Sequence, residues 1–146
     1  SICPNFTYAL KSWQLHSRYQ YVANNAVPFV AKHQASFQLN WKGGVFKNQR
    51  LQMNIGANLT YQSAFQALVF LPFIESLDWQ VTQNGLSQNG FWNLQLHAAL
   101  EVKTFRFFVN VANLGAFWND PSLSIVQGYP FAPMQIRLGL TWDFWN

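Results

Sequence analysis

The histidines and carboxylates are the residues best suited to catalysis, and their spacing does not favour it. His97 and Glu101 lie four residues apart in a strand-like segment, which corresponds to about 13 Å at the rise of a β-strand and is too far for direct contact. No serine occurs in a nucleophile-elbow context, so no Ser-His-Asp arrangement is indicated. The single cysteine, Cys3, excludes an intrachain disulfide and a multi-cysteine metal site. We therefore predict a protein that is not an enzyme and has neither a metal centre nor a cofactor.

The polar residues instead recur at every second position along the chain. In the segment 51–61 (LQMNIGANLTY), apolar residues alternate without a break with polar residues or glycine. A period of two is that of a β-strand with one apolar and one polar face. The segment is longer than an average strand of about 5–6 residues and reaches the roughly 9–11 residues that a tilted strand needs to cross a bilayer. It is therefore predicted to be one strand of a membrane barrel, between lipid and water.

The composition agrees with a barrel and excludes other classes. Only 10% of the 146 residues are charged, against roughly 25% in an average soluble domain. No apolar run approaches the roughly 18 residues of a membrane-spanning helix. The nine lysines and arginines are scattered and form no basic cluster of the kind that binds nucleic acid. A soluble β-sandwich or a lipocalin-like barrel is the alternative.

Seven segments carry the alternation and are predicted to be the strands of one barrel segment: residues about 5–10, 13–21, 34–42, 48–61, 91–101, 104–112 and 135–145. The links between them are alternately short and long. The short links lie at 11–12, 43–47 and 102–103, and the long ones at 22–33, 62–90 and 113–134. Outer-membrane barrels have short periplasmic turns and longer extracellular loops. The sequence thus predicts a transmembrane antiparallel up-and-down β-barrel whose long loops lie outside the cell.

Aromatic residues cluster at both ends of the predicted strands. Amphipathic rings are enriched at the two membrane interfaces, where they form girdles around a barrel. At the short-link end they are Trp13, Trp41, Trp142 and Phe144, and at the long-loop end Tyr19, Tyr21, Tyr61 and Trp92. We take Trp13, Trp41, Tyr61, Trp92, Trp142 and Phe144 as the candidate interface aromatics.

The opposite face is predicted to line a polar lumen. Its candidate residues are His16, Arg18, Asn54, Asn58, His97, Glu101, Arg106, Arg137 and Asp143. Basic side chains exceed acidic ones in this set, and rings of basic side chains favour anions in pores. The alternative is that these charges pair across strands and brace the wall.

The number of predicted strands bears on how much of a barrel the sequence contains. Seven is odd, whereas single-chain bacterial barrels generally have an even number of strands. The first residues also contain neither an initiator Met nor a signal peptide. We therefore expect the C-terminal segment of a larger barrel. The alternative is an eighth strand within 65–82, which would close a small barrel with a filled interior.

Three strings resemble a known family: LQMNIGANLTYQSAFQALVFLPFIESLDWQ, FRFFVNVANLGAFWN and GYPFAPMQIRLGLTWDFWN. Over roughly residues 36–146 the chain is similar to the C-terminal part of the putative porin family, outer-membrane β-barrels of Gram-negative bacteria of the Bacteroides group. The resemblance implies a location in the bacterial outer membrane and passive diffusion of small hydrophilic solutes. Expected partners are membrane lipids, these solutes, and either other outer-membrane proteins or further copies of the chain.

Three other functions are compatible with the same sequence. TonB-dependent receptors of the same bacteria end in a similar closing strand, so the chain could be the barrel end of such a receptor. A non-transporting barrel that scaffolds partner proteins through the loops 62–90 and 113–134 is the second alternative. An outer-membrane enzyme with a filled barrel is the third.

Overall fold

A seven-stranded antiparallel sheet forms most of the computed structural model, which describes residues 2–23, 30–44, 51–67, 69–71, 76–78, 87–126 and 129–144. In chain order the strands are β1 (Asn5–Leu10), β2 (Trp13–Tyr21), β3 (His33–Gly44), β4 (Leu51–Gln62), β5 (Phe65–Gln66), β6 (Val69–Leu71), β7 (Ser76–Asp78), β8 (Ser87–Gln88), β9 (Phe91–Val102), β10 (Phe105–Ala112), β11 (Ser124–Val126), β12 (Tyr129–Pro130) and β13 (Gln135–Trp142). The sheet order is β1-β2-β3-β4-β9-β10-β13, and the short strands pair as β5-β8, β6-β7 and β11-β12. Within the described ranges, no helix has the length and apolar character needed to cross a membrane.

Two tight hairpins turn on lysines in the left-handed backbone region. Lys11 has φ 47° in the turn between β1 and β2, and Lys103 has φ 49° in the turn between β9 and β10. A positive φ at the first loop residue gives a two-residue connection the twist of its flanking strands. These turns set the pairs Leu10–Trp13 and Val102–Phe105, from which the rest of each hairpin register follows.

The register gives the sheet one apolar and one polar face. One row across the sheet is Trp13, Trp41, Ile55, Ala98, Val109 and Leu138. The adjacent row is Gln14, Asn40, Gly56, His97, Asn110 and Arg137. Because a slip of one residue would exchange the two faces of a strand, each of these pairings is specified by the alternation. We call the two surfaces the apolar face and the polar face.

The prediction of an all-β antiparallel architecture with seven long strands is confirmed. The described strands form an open sheet, however, and not a closed barrel: β1 and β13 are its two edges. No eighth strand joins it among the described residues, since those of 65–82 belong to separate two-stranded pairs.

The links differ in detail from the predicted ones. β3 continues through Gly43 and Gly44, which were predicted to start a turn, because these glycines pair with Met53 and Gln52. The remaining residues of that link, 45–50, lie outside the described residues, as do 24–29, 72–75 and 79–86 of the predicted long loops. The loop after β10 contains a 3-10 helix at Leu114–Phe117, and then the β11-β12 pair.

The buried core lies at the long-loop end, where loop residues pack on Phe91 at the start of β9. Ala31, Phe65, Phe91 and Leu123 form one buried cluster, and Phe131 packs against it. We call these five residues the loop core. On the apolar face, by contrast, large side chains of β13 such as Ile136, Leu138 and Leu140 are 59–66% exposed.

Candidate solute-facing surface

The polar face brings together the residues predicted to line a lumen. β2 contributes His16 and Arg18, β4 contributes Asn54 and Asn58, and β9 contributes His97 and Glu101. Arg106 of β10 and Arg137 of β13 share the same parity in the register. Asp143 follows directly after β13, where its N–H donates to the Thr104 carbonyl at 2.8 Å. That these residues border a lumen remains a prediction.

Pairing between charges on this face is limited. Arg106 Nη2 donates to Glu101 Oε2 at 3.1 Å, and these residues are direct cross-strand partners. This is the one ion pair among the described residues, and both side chains are about half exposed. Exposed pairs of this kind contribute little stability because water and salt screen them. Arg137 instead donates to the Gln135 amide oxygen at 2.8 Å, and His16 Nδ1 lies 2.9 Å from Thr7 Oγ1.

A depression of about 420 Å³ occupies the polar face beside the short turns. We call it the basic depression; its lining residues are Lys11, Ser12, Gln14, Gln38, Asn40, Lys42, Asn54 and His97. Gly56 lies between two of these lining residues, Asn40 and His97, in the register, and a β-carbon there would collide with the His97 ring and the Asn40 amide. The missing side chain therefore gives these two polar groups room to lie over the sheet.

At the other end of the strands, the loops cover the polar face. Phe91 has the parity of the polar residues of β9 but is 4% exposed, because the loop core closes over it. Its ring centroid lies 4.9 Å from that of Phe131 and 6.3 Å from that of Phe65, both in edge-to-face geometry. The loops are thus folded towards the polar side of the sheet.

Asparagine side chains anchor these loops to β9. Asn119 Oδ1 accepts from the Trp92 N–H at 3.2 Å, and Asn119 Nδ2 donates to the Trp92 carbonyl at 2.6 Å. β10 pairs with β9 only as far as Leu96, so Trp92 has no partner on β10. The Asn119 amide takes the place of that partner. Asn113, at φ 57°, precedes the 3-10 helix and accepts from Asn93 Nδ2 at 3.1 Å.

Directly after Asn119, Asp120 forms a local turn with Ser122. Ser122 donates to Asp120 Oδ1 from both its hydroxyl, at 2.7 Å, and its N–H, at 2.9 Å. These hydrogen bonds, the one from the hydroxyl first, hold the pKa of the Asp120 carboxyl below its ordinary value. The turn therefore favours the charged form of Asp120.

The candidate interface aromatics meet in pairs on the apolar face. Trp13 and Trp41 are cross-strand partners with centroids 6.5 Å apart, near the short turns, where Trp142 and Phe144 stack at 4.8 Å. Tyr61 and Trp92 are partners at the long-loop end, with centroids 4.6 Å apart. The structure therefore brings all six together as pairs, and their place at a membrane interface stays a prediction.

Sequence comparison assigns a family to this two-faced sheet. A family model described as "Putative porin" matches residues 2–146. The chain belongs to the putative porin family. The predicted resemblance, placed over roughly residues 36–146, is thereby confirmed and extends to nearly the whole chain. No protein of curated function and no solved structure gives a significant match.

Membership of the putative porin family supports the coarse functional predictions. The family indicates a porin-like, transport-related protein of the outer membrane and agrees with a protein that is not an enzyme. Among the described residues, no group of three or more His, Cys, Asp or Glu side chains is arranged to hold a metal ion.

Two features of this porin-family chain were missed by sequence reasoning. Lys11 stands in a turn, outside any alternation, so nothing in the pattern placed it beside Lys42 in the basic depression. The alternation places Gln14 and Gln38 on the polar face, but they were not predicted to line the lumen. The loop core was also missed, although Phe91 offers a signal: it is a large apolar residue at a polar-face position.

Proposed function

We propose that the chain forms the wall of an outer-membrane β-barrel whose polar lumen lets small hydrophilic solutes diffuse passively. The observation that carries this proposal is the two-faced sheet, in which seven strands keep one apolar and one polar face without a break in register. A wall between hydrocarbon and water requires this division of side chains on every strand.

The exposure of the apolar face supports a lipid environment. Phe6 at one edge of the sheet is 59% exposed, and Leu138 at the other is 66% exposed. Exposed apolar patches on soluble monomers rarely exceed a few hundred Å², because each Å² of apolar surface in water costs about 25 cal/mol. Hydrocarbon chains around the apolar face would remove that cost.

The stagger of the short turns supports a barrel wall. Through the register, Trp13 at the first short turn is level with Ile55 of β4, whereas Phe105 at the last one is level with Leu51. The rim therefore shifts by four residues over the four strand steps from β2 to β10, or one residue per strand. With about 3.3 Å per residue and about 4.8 Å between strands, this shift corresponds to a strand tilt of about 35°, close to the roughly 35–45° of outer-membrane barrels.

The proposed mechanism is filtering by size and charge in a water-filled lumen. Amide, hydroxyl and imidazole groups on the polar face can exchange hydrogen bonds with a passing solute in place of its water shell. The loop core, folded over the polar face, would narrow the outer mouth and set an upper limit on solute size. No bound intermediate is needed for passive diffusion.

Site-directed spin labelling tests the division of faces. Nitroxides would be placed at Ile55 and at Asn54 in full-length protein in lipid, with Cys3, an exposed free thiol, and any cysteine outside these 146 residues replaced by serine so that labelling is specific. We expect oxygen to relax the label at Ile55 more strongly, and a water-soluble nickel complex the label at Asn54. Equal accessibilities at the two positions would contradict a membrane wall.

Single-channel recording tests the diffusion step itself. Full-length protein in planar bilayers should give ohmic conductance steps. A folded, inserted sample without such steps would contradict the proposed pore, even if the labels placed the faces as expected.

A further inference from the structure

We propose that the basic depression is an anion subsite, taking small solutes that carry a phosphate or carboxylate group. This inference rests on the proposed function, since it assigns a solute class to the polar face of the pore wall. It concerns the end of the wall that has the short turns, opposite the loop core.

The lining residues are matched to an anion by charge. Lys11 and Lys42 both contribute to the depression, and no acidic side chain does so among the described residues. Neither lysine has a carboxylate within ion-pair distance in the part of the chain that the structure describes. Two cations in a concave surface with low-dielectric walls concentrate anions from solution.

The acidic residues Glu101, Asp143 and Asp120 do not line the depression. Glu101 is held by Arg106 at 3.1 Å, which compensates its charge. Asp143 lies beyond β13, the far edge of the sheet from β2 and β3. Asp120 belongs to the loops at the opposite rim, where Ser122 binds it. The positive charge of the depression is therefore not cancelled by a described neighbour.

The remaining lining groups can donate hydrogen bonds. Ser12, Gln14, Gln38, Asn40 and Asn54 each supply a hydroxyl or an amide NH₂, and His97 supplies one ring N–H, on Nδ1 or on Nε2 according to its tautomer. Phosphate and carboxylate oxygens accept several such bonds at once, and bonds to a charged acceptor are stronger than bonds between neutral groups. The volume of about 420 Å³ leaves room for the solute that bears the anionic group.

The backbone fixes the positions of both lysines. The Lys42 N–H donates to the Ser12 carbonyl at 2.8 Å, which docks the first short turn on β3. Lys11 itself occupies the left-handed position of that turn. The depression is thus built at a tight hairpin and not on a long loop, which makes its geometry well defined.

The chain offers a matched control for this site. Lys11 and Lys103 hold the same position in two short turns, at φ 47° and φ 49°, but only Lys11 lines the depression. Asparagine is favoured among non-glycine residues at positive φ, so Lys11→Asn and Lys103→Asn each remove one charge with little backbone strain. Lys42→Gln removes the second charge of the depression.

The first arm of the test measures ion selectivity in planar bilayers under a KCl gradient, using the full-length protein. We expect the chloride-to-potassium permeability ratio to fall roughly threefold to tenfold in the Lys11→Asn/Lys42→Gln variant, because local focusing of anions is lost. Lys103→Asn should change it much less. An unchanged ratio in the double variant, or an equal fall with Lys103→Asn and Lys11→Asn, would overturn the subsite.

The second arm measures binding of inorganic phosphate by calorimetry to the full-length protein in nanodiscs, with empty nanodiscs subtracting any lipid contribution. Binding that is weakened at least tenfold in the double variant supports the subsite, and no binding to the wild-type protein contradicts it. This arm separates the two proposals. Phosphate binding without conductance would overturn the pore and keep the subsite, whereas conductance without phosphate binding or anion preference would do the reverse.

Discussion

The polar face is open at one end of the sheet and covered at the other. At the short-turn end, two-residue hairpins leave the face open, and the basic depression lies on it. At the long-loop end, the loop core covers the face around Phe91, and asparagine side chains tie the loops to β9. One end therefore resembles a solvated surface and the other a small globular core.

The difference follows from the length of the connections. A two-residue turn is too short to form a core of its own, so the lysines at its tip remain exposed to solvent. A long loop must compensate the entropy of ordering its backbone, and apolar burial and hydrogen bonds supply that compensation. Order and charge are thus divided between the two ends of the sheet: the loop core stabilises the long-loop end, and the short turns present lysines.

The largest expected effect comes from breaking the loop core. Phe91→Ala should destabilise the loops by about 3–5 kcal/mol, the usual cost of truncating a buried phenylalanine, because Phe91 contacts both Phe65 and Phe131. Hydrogen exchange should show lost protection in 114–126 and little change in β3 and β4.

A phenylalanine outside the core provides the control for this change. Phe108 also lies on the polar face, is 40% exposed, and covers Gly139 without joining the loop core. Phe108→Ala should leave the loops protected. If both variants loosened them equally, the loop core would not be what holds them.

The next effect concerns the two faces of the sheet between its ends. Ile55→Arg places a charge on the apolar face, where it should cost about 2–4 kcal/mol near the bilayer midplane. Asn54→Arg, one residue away on the polar face, should cost little. Reversible unfolding in lipid measures both variants, and a similar cost at the two positions would mean that the faces do not meet different media.

The two faces of the sheet were largely predictable from the sequence, because alternation directly encodes which face each residue occupies. The faces of Trp41 and Ile55, and of Asn40 and Gly56, follow from the alternation in the predicted strands 34–42 and 48–61, but their pairing does not, because the predicted link 43–47 would give a different register. The limits of β3 were less predictable, since Gly43 and Gly44 have the composition of a turn but are held in the ladder by their partners on β4.

The loop core and the basic depression could not be predicted in the same way. Ala31, Phe65, Phe91 and Leu123 come from four distant parts of the chain, and no periodicity relates them. Lys11 and Lys42 are likewise joined by the docking of a turn on β3, through the bond from Lys42 to Ser12. Contacts of this kind depend on tertiary packing, which a local pattern does not contain.

A smaller effect is expected from the loop anchor. Asn119→Ala removes the two hydrogen bonds between the Asn119 amide and the Trp92 N–H and carbonyl, and should cost about 0.5–1.5 kcal/mol, the usual net contribution of a hydrogen bond whose groups water can reach. The measurement is hydrogen exchange at Trp92. Asn110→Ala is the control, because Asn110 is an exposed polar-face residue of β10, and loss of protection in both variants would argue against the anchor.

The smallest effect should come from protonating Asp120 at the long-loop end. Because the hydroxyl and N–H of Ser122 lower its pKa, the charged form stabilises the turn at every pH above the ordinary value of 3.8, and this contribution is lost only as the pH falls through the lower pKa of the folded state. The Ser122 amide resonance should therefore stay constant from neutral pH down to about 4 and shift below it. In Ser122→Ala, which lacks the hydroxyl, the midpoint should move up towards the ordinary value. A midpoint that is already ordinary in the wild-type protein would show that the turn does not favour the charged form, and that the order of the long-loop end does not depend on the charge of Asp120.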